Sequence, residues 1–217
     1  KIVGGFHTGV EYNFDGEKKS RYTSFFGNVV LPHQTRLNIN ISVKPFSRFK
    51  DVDLENLWDL SVNINSHFIK SLAIGGNFSR GVNTVTFLDV PEKGNSTSFS
   101  LWTRLKLSDR IQVGGIYENH QMTTLDKKEE YYSGYLTGIR MNYQYNQALS
   151  FRLLGQYNDF SQTFQLQPLL SYQPSPFTIF YIGSTSNQIA ENLSIDSIQE
   201  SQINDRQLFL KFQYLFD

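Results

Sequence analysis

The sequence predicts an all-β protein, a transmembrane antiparallel up-and-down β-barrel with about twelve strands in this chain, complete in itself or part of a larger barrel. Three observations predict it. Apolar and polar residues alternate with a period of two along segment after segment, as they do when successive side chains of a strand point to opposite faces. Connections between these segments alternate between short and long. Aromatic residues reach 15% of the chain, through 18 Phe and 12 Tyr, and on segment 129–145 the outward tyrosines lie at both ends. No apolar run approaches the roughly 18 residues of a membrane helix. Residues 1–217 therefore read as a single barrel domain or the C-terminal portion of one.

The alternation is clearest in four places. Residues 35–44 set Leu37, Ile39, Ile41 and Val43 against Arg36, Asn38, Asn40, Ser42 and Lys44. Residues 97–107 set Phe99, Leu101, Thr103, Leu105 and Leu107 against Ser98, Ser100, Trp102, Arg104 and Lys106. Residues 110–118 set Ile111, Val113, Gly115 and Tyr117 against Arg110, Gln112, Gly114, Ile116 and Glu118. Residues 148–158 set Leu149, Phe151, Leu153, Gly155 and Tyr157 against Ser150, Arg152, Gln156 and Asn158, with Leu154 the exception. Further strands are expected at 3–14, 20–31, 57–67, 70–80, 129–145, 162–173, 176–187 and 206–216.

Short connections are expected at Pro32–Gln34, Ser66–Lys70, Ser108–Asp109, Asn146–Gln147 and Pro174–Pro176. Longer ones are expected at 15–19, 46–56, 81–95, 119–128 and 188–205, with a shorter link near 159–161. This rhythm suits tight periplasmic turns and longer extracellular loops, and an even strand count puts both chain ends on the periplasmic side. On segment 129–145 the outward set is Tyr131, Ser133, Tyr135, Thr137, Ile139, Met141, Tyr143 and Tyr145. Tyrosines at both ends of an aliphatic middle match the two interfacial girdles that a bilayer selects. A soluble sandwich gives tyrosine no reason to prefer strand ends. The lipid-facing set is accordingly Leu37, Ile39, Ile41, Phe99, Leu101, Ile111, Val113, Ile139, Phe151 and Leu153, joined by residues of the last strand.

That last strand reads QLFLKFQYLF from Gln207 to Phe216. Leu208, Leu210, Phe212, Tyr214 and Phe216 make one continuous apolar face about ten residues long, the length of a tilted strand crossing a bilayer. The ending resembles the C-terminal insertion signature of Gram-negative outer-membrane β-barrels, departing from it in that Asp217 follows the aromatic. The resemblance implies an outer-membrane location, outer-membrane lipid as surroundings and the barrel insertion machinery as a partner. The stretches NYQYNQALSFRLLGQYND (142–159), LQPLLSYQPSPFTIFYI (166–182) and RQLFLKFQYLF (206–216) also resemble Bacteroidota outer-membrane proteins with an N-terminal carbohydrate-binding family-nine-like domain and a C-terminal barrel. That likeness covers about the last 85 residues. It implies that the chain is the barrel portion of a longer protein. The chain starts at Lys1 without a signal-peptide pattern, which reads as a mature form or a portion of something longer.

Composition narrows the function. Twenty Lys+Arg balance 20 Asp+Glu, so no electrostatic case exists for nucleic acid as partner. Cysteine is absent, so there is no disulfide framework and no thiolate metal site, and no cofactor is expected. On the inward faces the basic residues are Arg36, Lys44, Arg104, Lys106, Arg110, Arg140, Arg152 and Lys211, against Glu11, Asp59 and Glu118. A basic zone lining a pore concentrates anions and repels cations. The bland alternative is that these side chains pair with acidic groups of a plug, an inserted loop or neighbouring strands.

Outside the basic zone the signals are weak. Asp51, Asp53 and Glu55 alternate in DVDLE, a carboxylate set short of a calcium loop's ligand count and better read as solvated. The run DKKEE (126–130) is likewise solvated. Loop 188–205 carries Ile189, Leu193, Ile195, Ile198 and Ile203, expected to cover the barrel mouth. His33 and His67 fall in expected turns, His7 points inward, and His120 lies at the extracellular end with no motif tying Ser or Asp to it. No enzyme is expected. The leading expectation is a channel or transport component with a basic lumen, passing small anionic solutes. The alternative is a non-transporting anchor that displays loops or a binding module, or a subunit meeting other outer-membrane proteins in a larger complex.

Overall fold

The computed structural model describes residues 1–189 and 202–215, without the side chains of 189 and 202–204. Twelve strands follow one another: β1 (Ile2–Tyr12), β2 (Lys18–Leu31), β3 (Thr35–Phe49), β4 (Val52–Ile69), β5 (Leu72–Val85), β6 (Glu92–Lys106), β7 (Ile111–Thr124), β8 (Glu130–Gln144), β9 (Leu149–Asn158), β10 (Thr163–Ser175), β11 (Thr178–Ile189) and β12 (Gln202–Tyr214). They hydrogen-bond in sequence order, β1 through β12, the up-and-down arrangement in which each strand pairs with its chain neighbours. The all-β, twelve-strand antiparallel fold is therefore the one the alternation predicts. β1 and β12 stand at the two ends of that order and are exposed along nearly their whole described lengths.

The boundaries differ from expectation mainly at the long loops. The connection expected over 46–56 is a two-residue turn, Lys50–Asp51, because β3 and β4 pair as far as Phe49 and Val52. The one expected over 81–95 shrinks to residues 86–91, and that over 119–128 to residues 125–129. The physical reason is that hydrophobic alternation marks only the part of a strand with one dry face. Beyond that part the backbone ladder continues, with scattered apolar residues such as Leu54, Val85 and Met122 buried near the strand ends but no long periodic signal. Asp53 is consequently a strand residue paired bidentately with Arg48, Nε to Oδ1 at 2.6 Å and Nη2 to Oδ2 at 3.1 Å, rather than a free loop carboxylate. His67 lies within β4, which continues irregularly past Ser66, and not in a turn. Arg110 sits in the turn of residues 107–110 rather than on a strand. Leu193, Ile195 and Ile198, expected at the mouth, lie outside the described residues, as do the side chains of Ile189 and Ile203.

Two compact units divide the chain, Lys1–Leu101 with Glu118–Ser133 and Trp102–Tyr117 with Gly134–Asp217. In the first, direct cross-strand partners separate a largely apolar face from a largely polar one, with Arg80, opposite Leu60, on the former and Tyr22 and Phe26 on the latter. Phe6, Phe25, Ile41 and Leu60 form one row, and Gly27, Ile39, Val62 and Phe78 form the next. The opposite face carries a row of four asparagines, Asn28, Asn38, Asn63 and Asn77, one from each of four successive strands. Asn38 donates to Asn63 Oδ1 at 3.4 Å and Asn63 donates to the Gly76 carbonyl at 3.2 Å. Hydroxyl pairs extend this polar surface, Ser24 to Ser42 at 3.0 Å and Ser79 with Ser98 at 2.7 Å. The strand ends beyond the periodic region build a small dry cluster, in which Val85 is fully buried and Leu54 and Met122 nearly so. Gly94 admits Val85 and Met122, since an added Cβ would stand 3.1 and 3.2 Å from their side chains. Burying a side chain such as Val85 stabilises by about 1.5–3 kcal/mol.

The second unit keeps the same division. Tyr143, Phe151, Leu170, Ile182 and Leu210 are successive partners across β8 to β12. Leu149, Tyr172, Phe180 and Phe212 form the adjoining row. Aromatic rings contact one another at two levels. Tyr117, Tyr135 and Tyr157 are linked with centroids 5.9 and 5.7 Å apart, and Tyr172, Phe180 and Phe212 with centroids 6.3 and 4.9 Å apart. Each such pair contributes roughly 0.5–1.5 kcal/mol beyond its buried area. On β10, Phe164 pairs with Tyr157 and lies eight residues from Tyr172. At ~3.3 Å per residue the two aromatic levels are about 26 Å apart along the strand.

Candidate functional site

The polar face of the second unit holds the basic residues that the alternation turns inward. Two hydrogen bonds fix their register. Leu107 donates to the Ile111 carbonyl at 3.0 Å, and Gln144 donates to the Arg110 carbonyl at 2.8 Å. Counting back along the antiparallel strands places Arg104 on β6 and Arg140 on β8 as the two lateral neighbours of Gly114 on β7. Arg104, Arg140, Gly114, Trp102, Leu154 and Gln156 line one groove of about 410 Å³. Toward the turns, Lys106, Arg110 and Arg152 line a second groove of about 540 Å³ with Asp109, Asn142 and Tyr181. The second groove adjoins the turn of residues 107–110, and the first lies farther along the strands.

Charge balance differs along this set. Lys106 Nζ stands 2.7 Å from Asp109 Oδ1, a turn pair that holds the Asp109 carboxyl below its ordinary range through the hydrogen bond and charge of Lys106. Among the described residues, no carboxylate lies within ion-pair distance of Arg104, Arg140 or Arg152. Arg104 and Arg140 are both exposed to the groove. Guanidinium groups without carboxylate partners keep their donors available to a planar oxyanion.

The remaining members of the expected basic zone are dispersed. Arg36, on β3 opposite Asn65, and Lys44, opposite Leu57, belong to the first unit. Lys44 lies diagonal to Asp59, which pairs with Ser42. Lys211 is opposite Tyr181 on the exposed strand β12. Of the last strand's apolar set, Leu208, Leu210, Phe212 and Tyr214 are exposed, and Phe216 lies outside the described residues.

Of the candidate lipid-facing residues, Ile39, Ile41 and Phe151 stand in the apolar rows given above, and Ile39, Ile41, Phe99, Leu101 and Ile139 are exposed. Leu37, Ile111, Val113, Phe151 and Leu153 are half-buried among their neighbours. His120, on β7, approaches Glu118 at 3.9 Å and joins Met122, Phe87 and Tyr132 in a separate groove of about 260 Å³. No cluster of His, Cys, Asp or Glu able to hold a metal occurs among the described residues.

Sequence reasoning missed aromatic covers on the polar face. An added Cβ on Gly5 or Gly9 would stand 2.8 or 2.7 Å from the rings of Phe26 and Tyr22, their direct partners on β2. The only sequence signal is glycine in a strand, and which ring covers it depends on register.

No protein-family model matches the chain, and no curated protein does. Distant likeness extends to solved barrels. A structure titled KdgM porin in complex with disordered oligogalacturonate and another of KdgM porin each share 13% identity, cover all of both chains and give a TM-score of 0.38. BamA from Haemophilus ducreyi lacking POTRA domains 1–3 shares 11% identity, covering 86% of this chain and 41% of that one, with a TM-score of 0.39. At these values the likeness is too distant to carry a family or a function to this chain.

Proposed function

We propose that the chain is an outer-membrane β-barrel of a Gram-negative bacterium that passes small anionic solutes through a basic lumen. The observation that carries this reading is the division of twelve up-and-down strands into two faces of opposite chemistry. One face is largely apolar, interrupted by Arg80 opposite Leu60, and carries aromatic rows at two levels. The other carries amides, hydroxyls and basic groups, of which Arg104, Arg140 and Arg152 lack carboxylate partners among the described residues. An apolar exterior about 25 Å tall with aromatic girdles and a polar interior is the pattern that a spanning barrel requires. Residues 1–217 act as one barrel domain or as the C-terminal part of a larger one. The likeness of 142–159, 166–182 and 206–216 to Bacteroidota barrels that follow a carbohydrate-binding family-nine-like domain supports the second form.

Planar-bilayer recordings under a salt gradient test the reading. Purified protein should give a reversal potential of anion-selective sign, and the difference should shrink at high salt as the screening length falls to about 3 Å at 1 M. Replacing Arg104 and Arg140 together by Glu should reverse the sign. A folded protein that never conducts points instead to a non-transporting anchor.

A further inference from the structure

We propose that Arg104 and Arg140 form a binding site for a single oxyanion, a carboxylate or a phosphate, held by both guanidinium groups at once across Gly114. This deepens the reading of the basic face as an anion route. Three features of the groove support it. First, the two arginines lie on strands separated only by β7, so their Cα atoms are about 9.6 Å apart, two strand spacings. Second, the residue between them is glycine, and, its chain neighbours aside, no side chain comes within 4 Å of where its Cβ would stand. An added Cβ at Gly114 would meet only the Thr103 carbonyl, at 3.2 Å, within 4 Å. Any larger residue there would stand between the guanidinium groups.

Third, the walls suit a charged ligand that needs partners. Trp102, Ile116 and Leu154 make the groove partly apolar, and Gln156 adds a side-chain amide. An apolar wall reduces competition from water and strengthens each charge-assisted contact. The neighbouring Lys106 is already engaged by Asp109 at 2.7 Å and adds little free charge. Arg104 and Arg140 have no such partner among the described residues, so their mutual repulsion is relieved by an anion placed between them. Two guanidinium forks lining one groove match the oxygens of a carboxylate or phosphate better than a spherical halide.

The test is calorimetric titration of the full chain, folded in detergent, with inorganic phosphate and separately with acetate at fixed ionic strength. Wild type should bind phosphate saturably at one site per chain, with acetate competing for the same site. Arg104→Gln or Arg140→Gln should each weaken binding about tenfold, the loss expected for one charge-assisted contact. Gly114→Leu keeps both charges and should weaken it as much, and Gly114→Ser, with its smaller side chain, serves if the leucine variant does not fold. Lys128→Gln, on an exterior turn, should change nothing. Phosphate binding that is not saturable, or that survives both Gly114 variants unchanged, overturns the site. Because the titration needs no conductance, the two readings fail separately. An anion-selective channel without saturable binding loses only the clamp, and a non-conducting protein that binds phosphate through these residues loses only the channel.

Discussion

Phe209 covers Gly183. The two are direct partners on β12 and β11, and a Cβ added to Gly183 would stand 2.7 Å from the tip of the Phe209 ring. The glycine is buried although its partner lies on an exposed strand. Gly183→Ala must push the ring aside, and because a ring tip can swing, the expected cost is moderate, about 1–2 kcal/mol by the range for overpacking. Phe209→Ala should cost a similar amount by uncovering the glycine. Urea unfolding of the refolded protein checks both, and a double variant should lose less than the sum, since the two changes act on one contact.

The β3–β4 turn offers a change in the opposite direction. Lys50 and Asp51 both have positive φ, 47° and 60°, as a two-residue type I′ turn demands. Neither is the glycine or asparagine that accepts this backbone without strain. Asp51→Gly should therefore stabilise the barrel by about 1 kcal/mol. The expected result is a later urea midpoint with unchanged slope, and an earlier midpoint would mean that the Asp51 side chain matters more than its backbone.

Acid should loosen the β7–β8 connection before it loosens the strands. Asp126 accepts hydrogen bonds from the Thr124 hydroxyl and, at 3.2 Å, from the Lys128 amide, and these hold its carboxyl below the ordinary range. A depressed folded value means that this contribution is fully present above the unfolded value of about 4 and is lost as pH falls through the lower folded value. Chemical-shift titration should show the Asp126 carboxyl protonating below a model carboxylate. Asp126→Asn should remove most of the turn's acid sensitivity.

Truncation after Gln207 removes Leu208–Tyr214, which pair with Thr178–Ser184 of β11. The donors and acceptors of β11 would then face hydrocarbon unpaired, at several kcal/mol for each group. The truncated protein should fail to insert and should show no heat-modifiable folded band on electrophoresis. Normal insertion would mean that β12 is dispensable.

Much of the fold was legible because a bilayer imposes a strict code on strands. Ile39 and Leu208 could be placed on the apolar face from parity alone, since the register has period two. Legibility stopped where that demand stops. Residues 45–49 and 119–124 extend the strands without alternation, and 52–56 alternate only over a short acidic run, so they looked like loops. The candidate site was legible only as a composition. Arg104, Arg140 and Arg152 could be assigned to the polar face, but their separation could not. That depends on the Leu107–Ile111 and Gln144–Arg110 hydrogen bonds, which set three strands in register and leave Gly114 between two arginines. Aromatic covers such as Phe26 over Gly5 were hidden for the same reason.

The central claim is that the apolar face meets lipid and the amide face meets water, and β3 tests it most directly. Single cysteines replacing Leu37, Asn38, Ile39, Asn40 and Ile41 in turn, each carrying a nitroxide, are reconstituted in lipid vesicles. Collision rates with oxygen and with a water-soluble nickel chelate are then measured by electron paramagnetic resonance. Labels at 37, 39 and 41 should favour oxygen and those at 38 and 40 the chelate, alternating with the period of two that the partners Phe25–Ile41 and Asn28–Asn38 impose. Chelate access at all five positions, or the opposite alternation, would contradict a membrane-spanning barrel built on these faces.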